Sequence, residues 1–146
     1  MFEKFGEMGS WEELNTLAKN LWNEGDKDGL RTMCKENGLD YQDMEDAAED
    51  GIELFVTPTM AAMGRLKIEE KETKIPKEAA GIIFGMARAM ASDPKTAPMF
   101  LARGKRLDGV WKKLEDIARK NKSGNSGVAC GTDRDLQKLI RENYGR

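Results

Sequence analysis

The sequence predicts an all-α fold, a compact single domain of about seven helices over residues 1–146, with no sheet or at most a short extended segment near 52–57. Three observations predict it. Apolar residues recur at three- and four-residue spacing in almost every segment, capping side chains stand at the heads of those segments, and glycines stand at their ends. At 146 residues, 39% apolar and 34% charged, the chain is long enough to bury a core without disulfide or metal staples, and one domain is expected.

The elements follow in order. Ser10-Trp11-Glu12-Glu13 reads as a capping box, and Leu14, Leu17, Ala18, Leu21 and Trp22 follow at helical spacing until Gly25. Asp26 is placed to cap a second helix carrying Leu30, Met33 and Cys34 and stopping at Gly38. Asp40 is placed to cap a third with Met44, Ala47 and Ala48 inward. Thr57-Pro58 puts a cap before a proline at the first helical position, where the missing N–H costs nothing, and Met60, Met63, Leu66 and Ile68 supply the inner stripe. Pro76 opens a helix through about Ala91. Asp93-Pro94 repeats the cap-plus-proline signal ahead of a short helix with Met99 and Phe100 ending near Gly104. Leu107, Val110, Trp111, Leu114, Ile117 and Ala118 define the strongest amphipathic helix, running to about Lys122. After a loop over 122–131, Thr132 or Asp133 caps a last helix with Leu136, Leu139, Ile140 and Tyr144 inward.

Several chemistries are excluded by what is missing. No stretch approaches the roughly 20 apolar residues needed to span a bilayer, and Glu3, Lys4 and Glu7 stand where a signal peptide needs apolar residues, so a soluble cytoplasmic protein is expected. Cys34 and Cys130 lie in unrelated contexts and are expected to be free thiols. The chain has no histidine, which removes Ser/His and Cys/His nucleophile pairs and most zinc sites. No catalytic, cofactor or metal constellation is read from it, and a non-enzymatic protein is expected.

The net charge of −2 hides an asymmetry. Residues 1–93 carry 11 Lys and Arg against 20 Asp and Glu, whereas residues 94–146 carry 13 against 6. The chain therefore reads as an acidic lobe (1–57), central apolar helices (58–91) and a basic lobe (94–146). Lys105, Lys112 and Arg119 recur every seven residues, as do Arg106, Lys113 and Lys120, and on a continuous helix these six fall within roughly 140° of one another, opposite Leu114. They form the candidate partner-binding face, for an acidic protein surface or for nucleic acid, against the plainer reading of a solvated face. The run from Asp40 to Glu53, with Asp43, Asp46, Glu49 and Asp50, is the weaker candidate, as a mimic of nucleic-acid phosphates, an attractor of a divalent ion or a solvated face. Asp26-Lys27-Asp28-Gly29 supplies only a fragment of a calcium loop. Ser123 to Thr132 resembles a phosphate-binding loop in composition but lacks the lysine after its second glycine. It reads as a connector or as a backbone nest for an anion. Ala79 to Ala91, with Gly81 and Gly85 spaced for close packing, reads as the central buried helix or as a homodimer seam.

Thr57-Pro58-Thr59-Met60-Ala61-Ala62-Met63-Gly64-Arg65-Leu66-Lys67-Ile68, following the turn at Asn37-Gly38-Leu39-Asp40, resembles a family of small helical proteins carried on bacterial plasmids, conjugative elements and phages. The closing Leu139-Ile140-Arg141-Glu142-Asn143-Tyr144 is similar to that family's end, and the likeness covers about half the chain. What the resemblance implies is a setting, a mobile genetic element whose small proteins modulate host machinery. The expectation is therefore a protein-interaction module inhibiting or modulating a host defence complex in the manner of an anti-CRISPR protein, with a nucleic-acid-binding accessory protein as the alternative.

Overall fold

A computed structural model describes residues 2–52, 55–121 and 132–146. These form seven α-helices, α1 (Trp11–Asn23), α2 (Lys27–Glu36), α3 (Tyr41–Glu49), α4 (Pro58–Glu72), α5 (Lys77–Ala91), α6 (Asp108–Asn121) and α7 (Asp133–Asn143), with a 3-10 helix at Ala97–Leu101 between α5 and α6. No strand occurs among the described residues. The expected loop over 122–131, with Cys130, and Glu53 of the acidic run lie outside them.

Most helices begin where capping chemistry places them. Ser10 Oγ accepts from Glu13 N–H (3.2 Å), and the Glu13 carboxylate reaches back to Gly9 N–H (3.2 Å), one residue further out than the standard box. Asp26, Asp40, Thr57 and Thr132 accept from the amides of Gly29, Asp43, Met60 and Asp135 at 2.8 to 3.2 Å. Each bond satisfies one of the amides that a helix start leaves orphaned. The short helix expected after Asp93-Pro94 is present as the 3-10 helix Ala97–Leu101, with Met99 and Phe100, but a turn over 94–96 delays its start. The Asp93 carboxylate takes Lys95 N–H and the Thr96 hydroxyl, and only then does the 3-10 helix begin.

Two cores are built on opposite sides of α4. One gathers Leu14, Ala18, Leu21, Leu30, Met33, Cys34 and Met44 from α1 to α3, with Phe55, Val56, Ala61 and Leu101. The other gathers Ala62, Leu66, Ile83, Phe84, Ala87, Phe100, Leu107, Val110, Leu136 and Ile140 from α4 to α7. Neighbouring Ala61 and Ala62 thus face different cores, as do Phe100 and Leu101. Helix α4 with the 3-10 helix forms the wall between them. Asn15 on α1 fixes the approach to that wall, its side-chain oxygen accepting from Phe55 N–H (2.7 Å) and Val56 N–H (3.2 Å).

This arrangement corrects the expectation that Ala79–Ala91 is the central buried helix. Helix α5 buries Ala80, Ile83, Phe84, Ala87, Met90 and Ala91 on one face only, while Ile82 is 67% exposed. A Cβ at Gly81 or Gly85 would meet nothing within 4 Å, so neither glycine serves close packing within the chain. The close approach lies at Gly64 of α4 instead. A Cβ there would overlap the Asn37 carbonyl oxygen, and Gly38, with φ of +67°, would in turn strike Gly64.

The contrast is measurable. Gly64→Ala should cost about 1–3 kcal/mol of unfolding free energy because backbone must move to admit it. Gly81→Ala should add about 0.5–1 kcal/mol by relieving a helix-interior glycine. Denaturant titration of dilute protein reads both, and equal effects at the two positions would contradict the packing described.

Candidate functional site

Charge is handled differently in three places, and the difference separates groups that hold the fold together from those that face solvent. The first is internal. Arg65, 2% exposed on α4, pairs with Glu7 of the N-terminal segment and lies 3.3 Å from Glu69 one turn on, in an off-axis electrostatic contact. Glu7 also accepts from Arg106 (2.6 Å) and from Gly104 N–H (3.0 Å), and Glu69 accepts from Leu107 N–H (2.8 Å). The Phe2 ring lies against both guanidinium groups, 4.9 Å from that of Arg65 and 5.8 Å from that of Arg106. Asn143 donates to the Arg106 carbonyl (2.7 Å), while Asp108 takes the Thr73 hydroxyl and Lys74 N–H. The cluster ties the N-terminal segment, α4, the turn before α6 and the end of α7 together.

Desolvation raises the Glu7 pKa, but the Arg106 and Gly104 hydrogen bonds and the two guanidinium charges outweigh it and hold the carboxyl below its ordinary value. For Glu69, 3% exposed, desolvation wins over Leu107 N–H and the same two cations, and its pKa is raised. Neither carboxylate faces a reactive partner. Tyr144 is similarly structural, with its phenol pushed up by burial and its ring edge-on to Phe100 at 5.2 Å. Cys34 is 1% exposed with its thiol pushed up to about 12 by burial, and so is not a nucleophile.

The second place is the expected basic face, which the structure does not assemble as six side chains. Helix α6 begins at Asp108, so Lys105 and Arg106 precede it. Lys105 is exposed in the turn, and Arg106 points inward to Glu7. The Glu7 and Glu69 carboxylates capture Gly104 N–H and Leu107 N–H, and these tertiary bonds end the helical periodicity at its first turn. Lys112 and Arg119 remain exposed and Lys113 half-buried, with Lys120 also exposed. Arg119 pairs with Asp116 (3.4 Å), and Lys112 shares a shallow groove with Asp108, Glu115 and Asp116. Four cations against three carboxylates leave α6 with a net charge of only +1.

The third place is α3. Asp43, Asp46, Glu49 and Asp50 are all exposed, and none makes an ion pair among the described residues. Between Lys35 and Arg65 the sequence has no cation at all and eight acidic residues. Arg31 of α2 lies on the Tyr41 ring (4.5 Å) and is held by Asp28 (3.1 Å). At the end of α3, Gly51 (φ +74°) turns the chain, Ile52 N–H closes onto the Ala47 carbonyl (2.9 Å), and the Ile52 side chain stands 49% exposed beside the acids. Sequence reading ranked this face below the basic one. The signal that would have reversed the order is the uninterrupted absence of Lys and Arg from 36 to 64.

Among the described residues no three acidic or thiol side chains converge closely enough to hold a metal ion, and no helix is long and apolar enough to cross a membrane.

The cluster at Arg65 makes a pH prediction. A carboxyl with a depressed folded pKa contributes stability that is complete above its unfolded value near 4.5 and is lost as pH falls through the folded one. Glu7→Gln should therefore lower the melting temperature at pH 7, and the gap from the parent chain should close as pH falls below 4. A gap constant across that window would show that the Glu7 charge does not contribute. No family model, no curated protein and no solved structure matches the chain, so its functional reading rests on these surfaces.

Proposed function

We propose that this chain is a non-enzymatic binding module whose partner is a protein presenting a cationic surface to α3. The observation that carries the reading is the exposure of Asp43, Asp46, Glu49 and Asp50, none of which makes an ion pair among the described residues, set beside the exposed Ile52. Complementary charge steers encounter and selects partners, and an apolar side chain at its edge gives the contact a desolvated anchor. Surfaces that handle nucleic acid are cationic, so an acidic helix face competes with nucleic acid for them. In the mobile-element setting that the resemblance at 57–68 implies, the partner is a component of a host defence complex, and the chain acts as its inhibitor or modulator.

A second reading is favoured by one observation. Lys112 and Lys113 make no ion pair among the described residues, which leaves α6 a short cationic strip for nucleic acid.

Charge reversal separates the two. With Asp43→Lys, Asp46→Lys and Glu49→Lys combined, capture of the partner from host lysate should fall at least about tenfold, whereas Lys112→Glu with Lys113→Glu should leave it intact. Gel shifts at low salt should show no complex with DNA or RNA. Submicromolar nucleic-acid binding that weakens steeply with salt and disappears on reversing Lys112, Lys113 and Arg119 would instead establish the second reading.

A further inference from the structure

The outward face of α5 combines an exposed isoleucine, two bare glycines and charges of opposite sign at its ends. Glu78, Gly81, Ile82, Gly85, Arg88 and Ala89 follow one another at three- and four-residue spacing, and at about 100° per residue they share one side of the helix. Ile82 is the most exposed large apolar side chain among the described residues, at 67%. It also forms one lip of an apolar groove of about 270 Å³ that runs between α5, α6 and α7, with Trp111, Leu114 and Leu136 on its other walls. The backbone here is bare, since positions 81 and 85 have open space where a Cβ would stand. Charge is placed at the two ends of the face with opposite sign. Glu78 heads it without an ion pair among the described residues, and Arg88 closes it, exposed and bonded to Glu70 through one guanidinium nitrogen (2.6 Å), which leaves the rest of the fork facing solvent.

We propose that this face is a two-fold interface with a second copy of the same chain, the two α5 helices packing antiparallel. The sign of the charges selects the orientation. Parallel pairing would set Glu78 against Glu78 and Arg88 against Arg88, whereas antiparallel pairing sets the Glu78 of each copy beside the Arg88 of the other, some 15 Å along the helix at about 1.5 Å per residue. Such an interface is isologous and needs one patch that complements itself. With the axis level with Ile83, Gly81 of one copy lies opposite Gly85 of its partner, which lets the backbones approach as small residues at four-residue spacing allow. The two Ile82 side chains then meet across the axis on the groove side, each covered by the other. A single pair of 15-residue helices buries less than the roughly 800 Å² per partner of a standard stable interface. The dimer is therefore reversible, and it assembles as concentration rises. It lies apart from α3, so its failure would not touch the binding function proposed above.

Sedimentation velocity of the full chain from about 1 to about 500 µM should show a concentration-dependent passage from monomer to dimer. Gly85→Leu, which fills the crossing point, and Ile82→Glu, which sets two carboxylates together, should each weaken dimerisation at least about tenfold. Glu78→Lys should weaken it less, and in a salt-dependent way. All three positions face away from the cores, so helical circular dichroism and the melting temperature of dilute samples should not fall. Ile82→Cys combined with Cys130→Ser should form a disulfide-linked dimer under mild oxidation, whereas Glu12→Cys, on the exposed side of α1, combined with Cys130→Ser should not. A chain that stays monomeric across the whole range overturns the proposal, as does a dimer that Gly85→Leu and Ile82→Glu leave unchanged. If either variant fails to fold, absence of the linked Ile82→Cys dimer overturns it equally.

Discussion

The structure depends on one buried guanidinium. Arg65 sits on the helix that separates the two cores, 2% exposed, where leaving the charge unpaired would cost about 3–5 kcal/mol, a large part of a typical domain's stability. Two carboxylates meet it from different parts of the chain, Glu7 from the N-terminal segment and Glu69 from its own helix. Each carboxylate then takes a backbone amide of the turn before α6. A cationic centre with two acidic arms thus fixes where the N-terminal segment lies, where α6 starts and where the end of α7 docks. Buried ion pairs offset their desolvation only when partnered with good geometry, and here the additional partners are amides that the turn would otherwise leave unpaired.

The helix that carries Arg65 is unusual for the same reason. Helix α4 has apolar or small side chains facing two cores, so it has no single inner stripe and little amphipathic periodicity, and its polar residues Arg65 and Glu69 are themselves inside. Gly64 completes the arrangement by letting the turn at Asn37-Gly38 lie against the helix. Packing, ion pairing and backbone contact are therefore concentrated within Ala61 to Glu69.

The charge asymmetry of the chain acquires a different meaning in this setting. Part of it is internal, because Glu7 and Glu13 of the acidic half hold Arg106 and Arg103 of the basic half. The cations that survive on α6 are interleaved with Asp108, Glu115 and Asp116, whereas Asp43, Asp46, Glu49 and Asp50 of α3 make no ion pair among the described residues. Ile52 and Ile82, the two exposed large apolar side chains among the described residues, mark two separate surfaces. One edges the acidic face, and the other edges the bare face of α5. Binding by the first and self-association by the second are compatible with one chain.

Helix boundaries were legible in the sequence wherever local chemistry decides them. Ser10, Asp26, Asp40, Thr57 and Thr132 cap because the bond they make is three residues away, and the glycines at 25 and 38 end helices because glycine alone adopts positive φ cheaply. The all-helical class and most of the core follow from the same short-range periodicity. Tertiary structure alone decided two things: that α4 rather than α5 is central, and that Arg106 turns inward and so leaves the six-cation face incomplete. In each case the deciding partner lies far away in sequence, as Glu7 does from Arg106 or Asn37 from Gly64. Periodicity marks which side of a helix is apolar, but it carries no information about which distant charge or backbone will meet it.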